Sequence, residues 1–364
     1  LSPHLIRYNE RISINGVEIS DEEMQEIIEE LKPLIDEYEE NEKSKITFFE
    51  LETTMALLYF YRKNVDFVVL ETGLGGLYDC TNIITHPLVS VITSIGYDHM
   101  HLLGNTLPEI AFQKAGIIKE NSNTVIFEQA HDVNGVFKEV CHTKENKLHM
   151  VKENDISKYR YDSDLQYFNY KNMIDVAVNL KGTVQIKNAS LCIETINILR
   201  DSGYEISEDS VREGLKTVIH KARMEKLSDK PFIVYDGAHN EPAMENLQKM
   251  VPMYYSEMKR VYIVSILKSK DYKKMLKILA NDNEAKYVLT SGNNPERYVS
   301  GNDLHECMKG YVGEDRIEIQ PLESAILNTQ NDEENVVNLV VGSFYVYGDV
   351  INAVRKMNKV KGIQ

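Results

Sequence analysis

The stretch of residues 65–82, which reads VDFVVLETGLGGLYDCTN, indicates how the amino-terminal half of the chain folds. Residues 67–70 are four apolar residues in a row, which is the length and composition of a fully buried strand. Glu71 stands at the carboxyl end of this predicted strand, and a loop with three glycines follows. Ligands of open α/β sheets bind just beyond such strand ends, so Glu71 is placed for a ligand or a metal ion. An ordinary glycine turn is the alternative interpretation.

Length and composition limit the class of protein. A chain of 364 residues predicts two domains. The net charge of -15 argues against sequence-independent nucleic-acid binding, which needs clustered Lys and Arg. No apolar run is long enough to span a bilayer, and no signal peptide opens the chain, so we expect no membrane partner. The four cysteines are scattered without CxxC spacing, which predicts neither a disulfide framework nor a zinc site and suits the cytoplasm.

Two further segments place polar residues near Glu71. Ser20 and Glu23 form a capping box that opens one helix, and Thr47 is the expected N-cap of a second helix over residues 48–62. An apolar strand is predicted over residues 88–95 and leads to His99. A carboxylate and an imidazole at the ends of consecutive strands suit a divalent cation. A hydrogen-bonded loop histidine is the alternative.

A short helix is predicted over residues 107–115, with Pro108 in its first turn and Gly116 as its stop. Lys114 lies in the last turn, where the helix dipole favours a cation. A longer helix is predicted over residues 188–200, with Asn188 at its amino end.

The second half alternates strands and helices, which predicts a mostly parallel, doubly wound sheet. The candidate strands are residues 232–235, 261–266, 287–290, 317–319 and 336–341. The predicted boundary lies at residues 222–229 and separates domains over residues 1–224 and 230–364. Polar loops follow two of the strands, DGAHN at 236–240 and GSFYVYG at 342–348. Either is a simple strand-to-helix turn or part of a ligand site.

Taken together, these segments resemble folylpolyglutamate synthase and dihydrofolate synthase of the ATP-dependent Mur ligase superfamily. The resemblance is carried, in the family's order, by SPHLIRYNERISING, TFFE, LETGLGGLYDCTN, ITSIGYDHMHLLGNTLPEIAFQKAGIIK, QIKNA, ARME, DGAHN, LKSKDY and VVGSFYVYGD. It implies an α/β fold with an N-terminal P-loop-type ATP-binding domain and a C-terminal Rossmann-like glutamate-ligase domain, and a site between the two.

The resemblance also implies roles for individual residues. Ser2, Glu71 and His99 match magnesium ligands, and Lys114 matches a lysine that is carbamylated and so becomes an oxygen ligand. Asn188, Arg223 and Asp236 match positions that hold ATP. His239 and Ser343 match residues that face the acyl phosphate and the incoming glutamate. The pterin substrate is expected at Thr47, Phe48, Phe49 and Glu50 and at Tyr78, Asp79 and Cys80.

The implied activity is an ATP- and Mg²⁺-dependent ligase that adds L-glutamate to a folate or to dihydropteroate through an acyl phosphate. Lys114, His239 and His99 are the candidate catalytic residues. The expected partners are these small molecules, and we expect a monomer.

The chain departs from the family pattern at several points. The glycine-rich phosphate loop, GxxGKS-like, is expected before Ser2 and is absent from this sequence, so we expect an N-terminal portion to be missing. Leu77 stands where an arginine is usual, Val184 where a histidine is common, Ala222 in place of a glycine and Ser269 in place of an aspartate.

These departures leave two alternatives open. One is a Mur-type ligase that acts on another acid, and the other is a non-catalytic paralogue that has lost the phosphate loop. A dinucleotide-dependent oxidoreductase is disfavoured, because no GxGxxG follows any strand of the second sheet.

Overall fold

The computed structural model describes residues 4–162, 164–329 and 335–360. The chain divides into two compact units. Unit 1 comprises Leu1–Ile156 and Lys187–Ser207, and unit 2 comprises Ser157–Ile186 and Glu208–Gln364. The domain boundary drawn from the sequence stays a prediction.

The elements of the first part of the chain are β1 (Ser13–Ile14), β2 (Val17–Glu18), α1 (Asp21–Glu42), α2 (Phe48–Lys63), β3 (Val89–Ile92), α3 (Met100–Leu103), α4 (Leu107–Ala115), β4 (Asn123–Phe127), α5 (His131–Thr143) and β5 (Lys147–Val151). They are followed by β6 (Ile156–Tyr161), β7 (Gln166–Tyr170), β8 (Met173–Val178), α6 (Thr183–Asp201) and α7 (Glu208–Thr217). The remaining elements are β9 (Glu225–Asp229), β10 (Phe232–Asp236), α8 (Glu241–Tyr255), β11 (Lys259–Val264), α9 (Tyr272–Leu279), β12 (Lys286–Leu289), α10 (Gly301–Met308), β13 (Ile317–Ile319), α11 (Leu322–Leu327), β14 (Val336–Val341) and α12 (Tyr347–Val360).

Local capping signals set the starts of three helices in unit 1. The hydroxyls of Ser20, Thr47 and Thr106 each accept a hydrogen bond from the backbone N–H three residues later, and a glutamate at that position bonds back. These capping boxes satisfy N–H groups that have no partner inside the helix. The helix predicted over residues 107–115 is confirmed to the residue, and the one predicted over residues 48–62 extends by a single residue.

The buried strand predicted over residues 67–70 is wrong. These residues form no strand, and the side chain of Val69 is 97% exposed. An apolar run becomes a buried strand only when neighbouring strands accept its backbone groups and cover its faces. Within the described residues, the parallel sheet of unit 1 consists of β3, β4 and β5, and none of them pairs with this segment.

Two other bounds differ from prediction. The strand expected over residues 88–95 is only β3, because its ladder with β4 ends at Ile92. Helix α6 begins at Thr183, so Asn188 lies inside the helix and not at its amino end.

Unit 2 contains the six-stranded sheet, in the order β13-β12-β11-β14-β10-β9. Its strands are parallel except β9, which pairs antiparallel with β10 along one edge, so the predicted doubly wound sheet is confirmed. Strand β14 lies between β10 and β11, which places the ends of β10 and β14 side by side, with Asp236 opposite Val341. The buried side chains of β10, β11 and β12 pack with those of α8, α9 and α10 into one core.

Among the described residues, no helix has both the length and the apolar character needed to cross a membrane.

Candidate active site

In unit 1 the glycine loop that follows Glu71 docks on the carboxyl end of α4. The N–H of Leu77 donates to the carbonyl of Gln113 at 2.8 Å. A Cβ on Gly76 would lie 2.9 Å from the carbonyl oxygens of Gln113 and Lys114, and a Cβ on Gly116 would lie 2.2 Å from the Cα of Leu77. Only glycine permits this approach of two backbones. The fold therefore brings the loop and the Lys114 segment together.

The same loop meets the start of α2. Asp79 shapes it, since one carboxylate oxygen accepts from the N–H of Leu74 at 2.8 Å and the other accepts from the N–H of Thr81 at 3.0 Å. The ring of Phe49 lies against Gly73, where an added Cβ would come within 2.6 Å of the ring. Two segments that the sequence assigns to the pterin, residues 47–50 and 78–80, are thus neighbours in unit 1.

These segments expose aromatic surface to solvent. Phe48 and Tyr78 are 64% and 88% exposed. Thr47 and Glu50 bind each other in the capping box of α2.

Burial, together with the nearby carboxylates of Glu50 and Asp79, raises the pKa of the Cys80 thiol, so the thiol form is favoured.

A small cavity of about 70 Å³ lies beside Phe49. Its wall includes Glu71 and Thr81 from the glycine-loop segment. It also includes Arg11 and Glu52, two residues that the sequence analysis did not single out. Arg11 falls within the opening motif, but no sequence signal pairs it with Glu52, because the two are 41 positions apart and become neighbours only through the fold.

The predicted metal ligands lie on separate segments of unit 1. His99 has left-handed backbone torsions and precedes α3, and its side chain is half exposed and 3.8 Å from Asp98. Lys114 is half-buried on α4, and Ser2 lies outside the described residues. Within the described ranges, no three side chains of His, Cys, Asp or Glu are gathered to hold a metal ion. The Glu71 carboxylate on the cavity wall is an oxygen donor of the kind that Mg²⁺ prefers.

In unit 2, Asp236 ends β10 and is held by backbone donors. Its two carboxylate oxygens accept from the N–H groups of Met224 and Ala238, at 3.0 and 2.9 Å. The side chain is buried, and this burial raises the pKa of the Asp236 carboxyl although both hydrogen bonds and Arg223 oppose the change. The carboxylate fixes the backbone on both sides of the DGAHN loop.

Phe344, from the loop after β14, links the other polar residues of this edge. The Arg223 guanidinium lies 4.9 Å from the centre of its ring, and the His239 ring lies 5.0 Å away. A Cβ on Gly237 would come within 2.1 Å of the Phe344 ring, so this position has room only for glycine. The imidazole Nδ1 of His239 lies 2.8 Å from the carbonyl of Gly237, which makes Nε2 the acceptor nitrogen of the neutral ring.

Ser343 is 1% exposed, and its hydroxyl is hydrogen-bonded to other groups of the protein. The Oγ accepts from the N–H of Tyr345 at 3.1 Å, and the Tyr298 side chain also bonds to it. The Tyr235 hydroxyl donates to the Ser343 carbonyl. In this structure Ser343 therefore holds the loop after β14 in place.

The residues predicted to hold ATP are divided between the two units. Asn188 is half-buried in α6 of unit 1, whereas Arg223 and Asp236 belong to unit 2. The larger cavity, about 820 Å³, is lined by residues such as Gln248, Arg260 and Asp282, and by none of the predicted site residues.

Comparison with known proteins gives matches along most of the chain. Residues 18–196 match the Mur ligase middle domain, and residues 222–344 match the Mur ligase glutamate ligase domain. A dihydrofolate synthase/folylpolyglutamate synthase of Bacillus subtilis is 35% identical over 76% of this chain, a match that spans about two thirds (66%) of that protein. A folylpolyglutamate synthase of Lacticaseibacillus casei is 30% identical over 95% of this chain and 80% of its own length.

Solved structures agree with these matches. The folylpolyglutamate synthase of Thermotoga maritima superposes with a TM-score of 0.85 at 29% identity, over 98% of this chain and 81% of that one. The Mycobacterium tuberculosis folylpolyglutamate synthase, solved with ADP and AMPPCP, superposes with a TM-score of 0.80 at 25% identity, over 100% of this chain and 84% of that one.

Proposed function

Because this chain belongs to the Mur ligase family, among its folylpolyglutamate and dihydrofolate synthases, we propose that it adds L-glutamate to the carboxylate of a folate or of dihydropteroate, with ATP. The observation that carries the proposal is the edge of unit 2 where β10 and β14 end side by side. Asp236, His239 and Phe344 meet there, at the switch point where a doubly wound sheet binds ligands.

The reaction needs an activated acid, since hydroxide is a poor leaving group. A carboxylate oxygen of the pteroyl substrate attacks the γ-phosphorus of ATP, and ADP leaves. The glutamate amine then attacks the carbonyl carbon of the acyl phosphate, the C–N bond forms, and inorganic phosphate and a proton are released. Positioning and charge neutralisation are the main contributions a protein makes to phosphoryl transfer.

The described residues supply groups suited to these steps. Arg223, stacked on Phe344, is a cation for phosphate oxygens. The acceptor nitrogen of His239 can take a proton from the glutamate ammonium, and the imidazolium so formed can donate to an oxygen of the acyl phosphate. In unit 1, the exposed rings of Phe48 and Tyr78 offer apolar surface for a pterin, near the Asp79 segment.

Magnesium and the carbamate belong to this proposal. Glu71, His99 and a carbamylated Lys114 would hold Mg²⁺, which when bound neutralises phosphate charge. Intact-protein mass spectrometry of the chain kept in bicarbonate checks the modification, and we expect the added mass of one carbamate, lost in Lys114→Ala. An unmodified mass under these conditions contradicts the carbamate.

The activity itself is tested by phosphate release from ATP with glutamate and either dihydropteroate or tetrahydrofolate. We expect release that depends on both co-substrates, and a loss of about a hundredfold or more in Glu71→Gln. His239→Ala should lower the ligation rate more than ATP binding. ATP turnover without need of a pteroyl acid would favour a Mur-type ligase for another acid, and binding without turnover would favour the non-catalytic paralogue.

We also propose that the protein acts as a monomer in the cytoplasm, without nucleic acid or membrane. All four cysteines are free, as expected for a reducing compartment. Size-exclusion chromatography with light scattering checks the oligomeric state.

A further inference from the structure

A nearly buried ion pair joins the opening segment of unit 1 to α2. The Arg11 guanidinium lies 2.8 Å from the Glu52 carboxylate, and the two side chains are only 15% and 9% exposed. Removing two charges from water costs roughly as much as their attraction returns, so an apolar pair at such positions is often equally stable. Stability alone therefore does not account for charged residues here.

Arg11 hydrogen-bonds to residues of two different segments at once. Its Nε donates to Nδ1 of His4 at 3.0 Å while a second nitrogen donates to Glu52. A guanidinium is a rigid planar fork, so it fixes the direction of both partners at once. His4 belongs to the opening SPHL motif, and Glu52 lies in the second turn of α2, the helix that begins with the predicted pterin segment.

Aromatic contacts also join Arg11 to the start of α2. The Arg11 guanidinium lies 5.5 Å from the centre of the Tyr8 ring, and Tyr8 packs edge-on against Phe48 at 5.2 Å. Burial and the Glu52 carboxylate raise the pKa of Tyr8 to about 12, so its hydroxyl stays protonated and bonded to Glu52. Arg11, Tyr8 and Glu52 thus form one unit, which we call the Arg11 network.

The Arg11 network also forms one wall of the small cavity. Arg11 and Glu52 line it together with Phe49 and with Glu71. A shift of Arg11 would therefore move the start of α2 relative to both the opening segment and the Glu71 side of the cavity.

We propose that Arg11 is a positioning residue for the pteroyl substrate: through Glu52 and His4 it sets the place of the α2 amino terminus against the opening segment. This inference rests on the proposed function, since it assumes a pteroyl ligand at the α2 segment. It assigns to Arg11 no contact with the reacting atoms.

The test separates positioning from stability with the double variant Arg11→Met/Glu52→Leu, which leaves no unpaired charge. Dihydropteroate binding is measured by calorimetry in the full chain, without ATP, alongside the melting temperature. We expect a dissociation constant about tenfold higher than that of the unaltered chain, because small misplacements of a positioning segment weaken its ligand contacts, with the melting temperature nearly unchanged. An unchanged dissociation constant overturns the inference.

A matched control is the Arg260–Asp282 pair of unit 2, which is equally buried, with side chains 11% and 7% exposed. Arg260→Met/Asp282→Leu should leave dihydropteroate binding unchanged. Equal weakening in both double variants overturns the inference, because it shows a general effect of removing a buried pair.

Arg11→Lys is the second variant, for the case that the double variant does not fold. It keeps the cation beside Glu52 but lacks the fork that reaches His4, so we expect binding weakened by about threefold. Binding as tight as in the unaltered chain overturns the inference. The same titration is made with tetrahydrofolate. Binding of neither acid by the unaltered chain overturns the proposed substrate class, and the inference with it, whereas binding unaffected by these substitutions overturns the inference alone.

Discussion

Two segments of this chain have nearly the same sequence pattern and different structures. FVVLE at residues 67–71 and FIVYD at Phe232–Asp236 each place four apolar residues before an acid. The second is strand β10, whose central side chains are fully buried. The first forms no strand, and Val69 is almost fully exposed.

The difference between the two segments lies in their neighbours. Strand β10 pairs with β14 on one side and β9 on the other, so its backbone groups are satisfied and its faces are covered. Among the described residues no strand pairs with residues 67–70. The acids that follow differ accordingly, because Asp236 is buried and held by two N–H groups whereas Glu71 is exposed. A strand-like sequence becomes a strand only when partners are present.

The largest expected effect is on the free energy of unfolding, and it tests how closely the edge of unit 2 is packed. Gly342 follows β14 with φ +110°, and an added Cβ would lie 2.3 Å from the Ser265 carbonyl oxygen. Gly342→Ala should lower the free energy of unfolding by about 3–5 kcal/mol, the sum of backbone strain and overpacking. Urea denaturation measures it.

Gly135→Ala serves as the control for that substitution. Gly135 lies in α5 with open space around the added methyl, so alanine should stabilise the chain by about 0.5–1 kcal/mol. A small effect at Gly342 would show that the edge of unit 2 has room for a side chain beside the Ser265 carbonyl.

The next effect concerns the glycine loop of unit 1, which is docked although the segment before it is exposed. Gly116→Ala would push against the Leu77 backbone and should destabilise unit 1 by about 2–3 kcal/mol. Hydrogen exchange of the Leu77 amide, which donates to Gln113, should become faster. If neither quantity changes, the loop is not held against α4, and the contrast with the exposed residues 67–69 disappears.

A matched pair of substitutions compares the two segments directly. Val234→Thr in β10 places a hydroxyl in the core and should cost about 2 kcal/mol in the free energy of unfolding. Val69→Thr changes an exposed side chain and should cost less than about 0.5 kcal/mol. Equal costs would mean that residues 67–70 are buried in solution, as the sequence pattern predicts.

The smallest effect is the pH dependence that Asp236 contributes. Its native pKa is raised above the ordinary value of 3.8, so the native state binds this proton more tightly than the unfolded chain. Stability from this group is present below pH 3.8 and is lost as the pH rises through the native pKa.

The measurement is the stability of the unaltered chain minus that of Asp236→Asn, at several pH values. We expect this difference to fall from about pH 4 to pH 7, since other titrating groups cancel. A difference that grows with pH would mean that the backbone donors and Arg223 outweigh the burial of the carboxylate.

Much of the secondary structure was predictable because its causes are local. The capping boxes at Ser20, Thr47 and Thr106 act within three residues, so their helices begin where the sequence indicates. Strands β13 and β14 have the predicted bounds, since their apolar residues are bounded by turn signals. The family motifs likewise identified the Mur ligase domains.

The sequence by itself determined the starts of the capped helices, the doubly wound sheet and the family, because caps, periodicity and motifs depend on residues close in the chain. Tertiary structure alone decided that residues 67–69 are exposed, that the Ser343 hydroxyl is hydrogen-bonded within the protein, and that Arg11 meets Glu52 across 41 positions. Burial and ion pairing depend on which distant segments pack together in the fold. A local sequence pattern does not specify those segments.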